Sequence, residues 1–180
     1  ISFADKITTV SETYAREIQG ELGCGLEGVL HTRAKEIVGI LNGVDYSVWS
    51  PATDKMIPFR YESTNLSGKK KNKIELLHDV SLPVEEGMPL IGMVSRLVEQ
   101  KGLYLIIESA KQLFAENLQL IILGTGDKKI ERELKWSESK YPEKLKVFLK
   151  FDEMLAHKIV AASDIYLMPS LFEPCGLNQM

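Results

Sequence analysis

The sequence predicts an α/β fold: a Rossmann-like parallel sheet with flanking helices on both faces. Three observations predict it. From Met88 onward, short apolar runs alternate with longer stretches of mixed polarity. The runs are nearly all apolar, not alternating, which is how strands buried on both faces read. The stretches between them are long enough to hold the helical crossovers that parallel strands need.

Each element follows in order. Leu90-Ile-Gly-Met-Val94 is the first of these strands, and a helix is expected over Gly102 to Glu116. Leu118 to Leu123 is a second strand, ended by Gly124-Thr-Gly126, with a charged helix from Asp127 to about Lys140. Leu145 to Leu149 is a third, followed by a helix over Asp152 to Ala162 with Leu155, Ile159 and Ala162 near one face. Ile165 to Met168 is a fourth, stopped by Pro169-Ser170, after which a further helix is expected to begin at Pro174. The part before Met88 is less regular. Lys6 to Val10 is a short β-branched strand, and Ser11 is placed to cap a helix over Glu12 to Gln19. Glycines at 20, 23, 25 and 28 mark a loop, and Glu36 to Leu41 is a strand stopped by Asn42-Gly43. The polar stretch from Asp45 to Gly68, with Pro51 and Pro58, reads as a linker; Lys69 to Lys73 opens a solvated helix running to about His78.

Composition narrows the function. The chain has 180 residues, 44% hydrophobic and 26% charged, which is ordinary for a globular protein of one domain or one domain plus part of another. Its formal charge of −3 argues against a dedicated nucleic-acid binder, and no apolar run is long enough to span a membrane. Cys24 and Cys175 are too few and too separated for a disulfide framework or a zinc site, as in a reducing compartment. No H-E-x-x-H and no paired aspartates occur, so neither a metal nor another cofactor is expected. The first residues carry no signal peptide and no initiator Met, as expected of a piece of a longer protein.

In an open parallel sheet, ligands bind outside the carboxyl ends of the strands. Four loops qualify: Ser95 to Lys101, Gly124 to Asp127, Lys150 to Glu153, and Pro169 to Leu177. The first carries Arg96 and Lys101, a planar fork and a mobile point charge suited to a diphosphate, though solvated surface cations would look the same. Gly124-Thr-Gly126 lets backbone approach a ligand ahead of a helix N-terminus, but Lys129 breaks the dinucleotide fingerprint. Phe151 is either a stacking surface for a nucleobase or a core aromatic. His157 reads as structural. In the last loop, Glu173 precedes Pro174, which suits a first helical turn, leaving the amides of Cys175, Gly176 and Leu177 to face a polar ligand; helix capping by Glu173 is the plainer alternative.

Taken together these segments resemble one family. Pro169-Ser-Leu-Phe-Glu-Pro-Cys-Gly-Leu-Asn-Gln179 and Ser95-Arg-Leu-Val-Glu-Gln-Lys-Gly102 are similar to the sugar-nucleotide and phosphate-binding motifs of bacterial glycogen synthases and plant starch synthases. Ala4 to Ser11, Ile40 to Asp45 with Trp49, Pro51 and Thr53-Asp54, Gly124 to Asp127, and Asp152-Glu153 with Leu155-Ala-His157 extend the likeness along nearly the whole chain, leaving only Phe59 to Glu86 loosely matched. The resemblance implies the two-domain GT-B glycosyltransferase architecture. Residues 1–43 would end the N-terminal, acceptor-side domain, 44–86 would link the domains and open the second, and 87–180 would be the donor-nucleotide-binding half of the C-terminal domain. It implies retaining transfer of glucose from ADP-glucose to the non-reducing end of an α-1,4-glucan, without metal, in a bacterial cytoplasm or plastid stroma.

By the same resemblance Arg96 and Lys101 would hold the diphosphate, and Glu173 with the amides of Cys175, Gly176 and Leu177 would bind the glucose. Gly124, Gly126 and Phe151, where relatives often have Tyr, would meet the nucleoside, and Asn42 would line the cleft. The family's lysine-glycine loop from the N-terminal domain is missing, so the isolated chain is expected to be inactive. A UDP-glucose-dependent relative, or a non-catalytic nucleotide- or glucan-binding module, are the alternatives.

Overall fold

The computed structural model describes all 180 residues, which divide into two compact units. One unit comprises residues 1–45 and 172–180, the other residues 46–171.

The smaller unit holds a two-stranded parallel sheet of β1 (Ile7–Thr9) and β2 (Ile37–Gly39), with Ile7 opposite Ile37. Between them lie α1 (Glu12–Glu17) and α2 (Glu27–Thr32). Ser11 caps α1 as expected, its hydroxyl accepting from the Tyr14 amide at 3.0 Å. The glycine-rich stretch is only partly loop: α2 forms within it, starting at Leu26 without a side-chain cap. Gly39 is required because a side chain there would strike the backbone of Ser11 and Glu12, where β2 passes the start of α1.

The larger unit contains α3 (Ser67–Asp79), β3 (Leu90–Val94), α4 (Leu103–Glu108), α5 (Ala110–Leu113), β4 (Gln119–Leu123), α6 (Lys128–Lys140), β5 (Leu145–Phe148), α7 (Glu153–Ala162) and β6 (Ile165–Tyr166). The four strands are all parallel, in the order β5-β4-β3-β6. Successive side chains of a strand point to opposite faces, and both faces here are covered. Ile91, Met93, Leu120, Ile122, Leu145 and Val147 pack under α4, α5 and α6. Leu90, Ile121 and Leu123 pack under α3 and α7. That two-sided burial is why the strands read as unbroken apolar runs.

Three expectations need correction. The helix expected over Gly102 to Glu116 is two short helices, broken at Ser109, whose hydroxyl donates to the Leu105 carbonyl at 2.5 Å. The stretch from Asp45 to Gly68 is no free tether, because it is bonded to the helices of the larger unit. Phe59 donates its amide to Asn72 Oδ1 on α3 at 3.1 Å, and Asp54 Oδ2 lies 2.7 Å from His157 Nδ1 on α7. At the chain's end, Pro174 does not begin a helix: Gly176 adopts φ +69°, and a single 3-10 turn, Leu177–Gln179, follows. No helix is long and apolar enough to cross a membrane.

Candidate functional site

The strand order reverses between β3 and β6. The chain winds outward from β3 through β4 to β5, then returns to the far side of β3. The carboxyl ends of β3 and β6, where the order reverses, are the usual ligand position in such sheets.

After β3 the chain runs through Arg96, exposed and with no ion-pair partner, to a 3-10 turn, Glu99–Lys101. The turn ends at Gly102, whose φ of +70° suits glycine, and a side chain there would strike the carbonyl of Pro169. Leu171 donates its amide to the Gln100 carbonyl at 2.9 Å. The loop carrying Lys101 and the loop after β6 are thus bonded to each other at the mouth of the sheet.

The loop after β4 joins the same edge. Leu97 donates to the Thr125 carbonyl at 2.9 Å and Asp127 donates to Leu97 at 2.8 Å, a short parallel bridge that fixes Gly124–Gly126 beside Arg96. The glycines have a role inside the fold as well. Their amides are spent inside the chain, Gly124 on the Phe148 carbonyl at 3.0 Å and Gly126 on Glu131 Oε1 at 3.0 Å. A side chain at either position would collide with the backbone of Ser95 or Leu97, so their smallness is what lets the two loops touch. The N-terminus of α6 is likewise already capped by Asp127, which accepts from Lys129 and Ile130.

Glu131 anchors this loop from below. Its second oxygen accepts from Lys128 at 2.7 Å, and this bond with the Gly126 amide holds its carboxyl below the usual carboxylate range. Phe151, after β5, is 94% exposed, which excludes the core reading and leaves a bare aromatic face at the sheet edge. The next residue, Asp152, caps α7 through the Leu155 amide and pairs with Lys150 at 2.7 Å. Those bonds, Lys150 first, also hold its carboxyl low.

Within the larger unit, then, Arg96, Lys101, Gly124, Gly126 and Phe151 all stand at the carboxyl ends of one parallel sheet. The remaining candidates belong to the smaller unit. There the Ser11 hydroxyl donates to the Pro174 carbonyl at 2.6 Å, and Gln179 Nε2 donates to the Cys175 carbonyl at 2.7 Å. Glu173 is half-buried, Cys175 is buried, Gly176 is half-buried, and Leu177 and Asn42 are exposed. The amides of Cys175, Gly176 and Leu177 take part in none of the backbone hydrogen bonds.

Residues 77–180, more than half of the chain, match the family model of glycosyl transferases group 1. The chain belongs to the group 1 glycosyl transferases. Residues 1–32 of this group 1 glycosyl transferase also match the model of the starch synthase catalytic domain. It is 52% identical to a glycogen synthase of Pseudothermotoga lettingae, over 100% of this chain and 37% of that one. A Lactococcus lactis glycogen synthase is 47% identical, over 100% of this chain and 38% of its own length. The chain therefore spans little more than a third of these relatives. Among solved structures, the catalytic domain of starch synthase IV from Arabidopsis thaliana, bound to ADP and acarbose, superposes with a TM-score of 0.91 at 39% identity. That match covers 98% of this chain and 37% of the other. A glycosyltransferase from Rickettsia africae, at 15% identity and a TM-score of 0.56, shares the fold. The sheet and its flanking helices are those of the GT-B glycosyltransferases.

Sequence reasoning missed a buried pair, with an aromatic ring against it, in the larger unit. His157, on α7, lies 2.7 Å through Nδ1 from Asp54 Oδ2, and the Trp49 ring stacks on the imidazole with centroids 3.7 Å apart. His157 is buried, and its partners come from the supposed linker. Nothing local marks them; the only signal is that Trp49, Asp54 and His157 all fall in the segments that resemble the synthases.

Proposed function

We propose that this chain is the donor-binding portion of a glycogen or starch synthase that transfers glucose from ADP-glucose to the non-reducing end of an α-1,4-glucan with retention. The observation that carries this reading is the meeting of the β3, β4 and β6 loops at the strand-order reversal, with two cations among them. The identity to glycogen synthases along the whole chain supports it. So does the ADP and acarbose held by the starch synthase structure that this chain matches so closely.

The chemistry follows from charge. As the glycosidic bond to the donor breaks, negative charge grows on the departing ADP. With no metal in the scheme, Arg96 and Lys101 neutralise it, each contributing roughly 3 kcal/mol in the transition state, the scale of one preorganised donor. Phe151 stacks on the adenine, and Gly124 and Gly126 keep the neighbouring loop low enough for the nucleoside to lie over it. Glu173, two residues beyond Leu171, accepts from the glucose hydroxyls while the amides of Cys175, Gly176 and Leu177 donate to it. Asn42 lines the acceptor side. On this reading residues 1–43 end the acceptor-side domain, 44–86 join it to the second, and 87–180 carry the donor half. The parent enzyme works in a bacterial cytoplasm or plastid stroma.

Calorimetric titration tests the assignment. ADP binds the chain more tightly than UDP; Arg96→Ala and Lys101→Ala each weaken ADP at least tenfold, and Lys111→Ala on α5 leaves it unchanged. Equal affinity in all four proteins contradicts it.

A further inference from the structure

We infer that the larger unit carries a second anion site, remote in sequence from the β3 loop, which takes a phosphorylated small molecule. A cavity of about 490 Å³ opens between the segment 54–60 and the start of α3, within the size range of small-molecule sites. Its wall includes Lys55, Arg60 and Lys71, three cations from two separate stretches of chain. The sole acidic residue in the wall is Asp54, and that carboxylate is spent: Oδ1 accepts from the Met56 amide at 2.7 Å and Oδ2 meets His157. Lys55 has no ion-pair partner. Arg60 uses only Nε, on the Asp54 carbonyl, and Lys71 touches only the Phe59 ring, at 5.7 Å. The cavity is therefore a local excess of positive charge on a chain whose net charge is −3.

The sequence around it sharpens the point. Helix α3 opens with Lys69, Lys70 and Lys71 and has no acidic residue in its first turn. Cations there oppose the helix dipole, so the pattern weakens the helix unless an anion is bound nearby. Two of the neighbours are accounted for: Lys69 donates to the Ala161 carbonyl at 3.0 Å, and Lys73 pairs with Asp164 at 2.6 Å. Of the cations that remain, Lys55, Arg60 and Lys71 line the same space, and Lys70 lies outside it. Fork and point charges together suit the oxygens of a phosphate or diphosphate. The cavity is too small for an extended polyanion chain and too polar for an apolar guest.

The test titrates sodium pyrophosphate into the isotopically labelled 180-residue chain, read by amide chemical shifts and calorimetry. Saturable shifts are expected at Ser67, Gly68 and Lys55. Lys55→Ala combined with Lys71→Ala weakens this binding at least tenfold, Lys71→Glu abolishes it, and Lys140→Ala leaves it intact. The Arg96→Ala, Lys101→Ala double variant keeps the shifts at Gly68, which separates this site from the proposed donor site. Unfolding midpoints of all variants without ligand establish that each is folded. Shifts that do not saturate, that vanish with Arg96 and Lys101 instead, or that survive Lys71→Glu overturn the inference. Tenfold weakening by Lys140→Ala overturns it too, since that marks a general charge effect.

Discussion

The imidazole of His157 and the carboxylate of Asp54 are 103 positions apart in sequence and 2.7 Å apart in space. Both are buried, and His157 Nε2 has no partner, so the pair sits in surroundings where losing one member leaves the other desolvated and unmatched. His157→Ala and Asp54→Ala are each expected to destabilise the chain by about 3 kcal/mol, the cost of breaking a buried pair. The double variant should lose clearly less than the sum, as residues in contact do. Urea unfolding of the four proteins measures the coupling; strict additivity would mean the contact contributes nothing. Such residues were invisible to local reading, because a lone aspartate in a proline-containing stretch and a lone histidine in a helix each look unremarkable. The positions of Arg96, Lys101 and Phe151 were legible for the opposite reason: each lies in a loop that follows a recognisable strand, and strand ends are where ligands bind.

Elements built on the apolar runs were readable because burial on both faces leaves no alternation to confuse them; β3 and β4 fall within their expected spans. Helix breaks were not readable. The split at Ser109 depends on a hydroxyl bond to the previous turn, and the Pro174 expectation fails because Gly176 takes a left-handed conformation that the motif alone does not specify. The glycines at the loop crossings make a sharper prediction. At Gly102 an added methyl group meets both a positive φ and the Pro169 carbonyl. Gly102→Ala should cost roughly 3 kcal/mol, from strain and overpacking together. It should also disorder the Lys101 turn, seen as faster amide exchange at Lys101 and Leu171. At Gly92 a methyl group would meet Ser163 and Ile159, so Gly92→Ala should push α7 off β3 while leaving the Lys101 turn protected. Swapped exchange patterns would contradict both assignments.

At the scale of the molecule, three carboxylates are held below their ordinary range. Glu131 is held by Lys128 and the Gly126 amide, and Asp152 by Lys150 and the Leu155 amide. For Asp164, burial pushes upward but the Leu90 amide and Lys73 outweigh it. A group whose carboxyl is more acidic folded than unfolded stabilises the fold above the unfolded value, and that stability drains away as pH falls through the folded one. Melting temperature should therefore hold above about pH 5 and fall below about pH 4. Glu131→Gln should flatten part of that fall; a profile identical to the parent would remove Glu131 from the explanation. The isolated chain should also fail to elongate glucan with ADP-glucose, because it spans little more than a third of the synthases it matches and a site assembled from two domains needs both walls. The central claim, that Arg96 and Lys101 grip the donor diphosphate, is most directly tested by a crystal structure of the chain with ADP-glucose. The account predicts the diphosphate within hydrogen-bond distance of both cations and the adenine flat on Phe151. A donor seated elsewhere, with neither Arg96 nor Lys101 in contact with it, would contradict it.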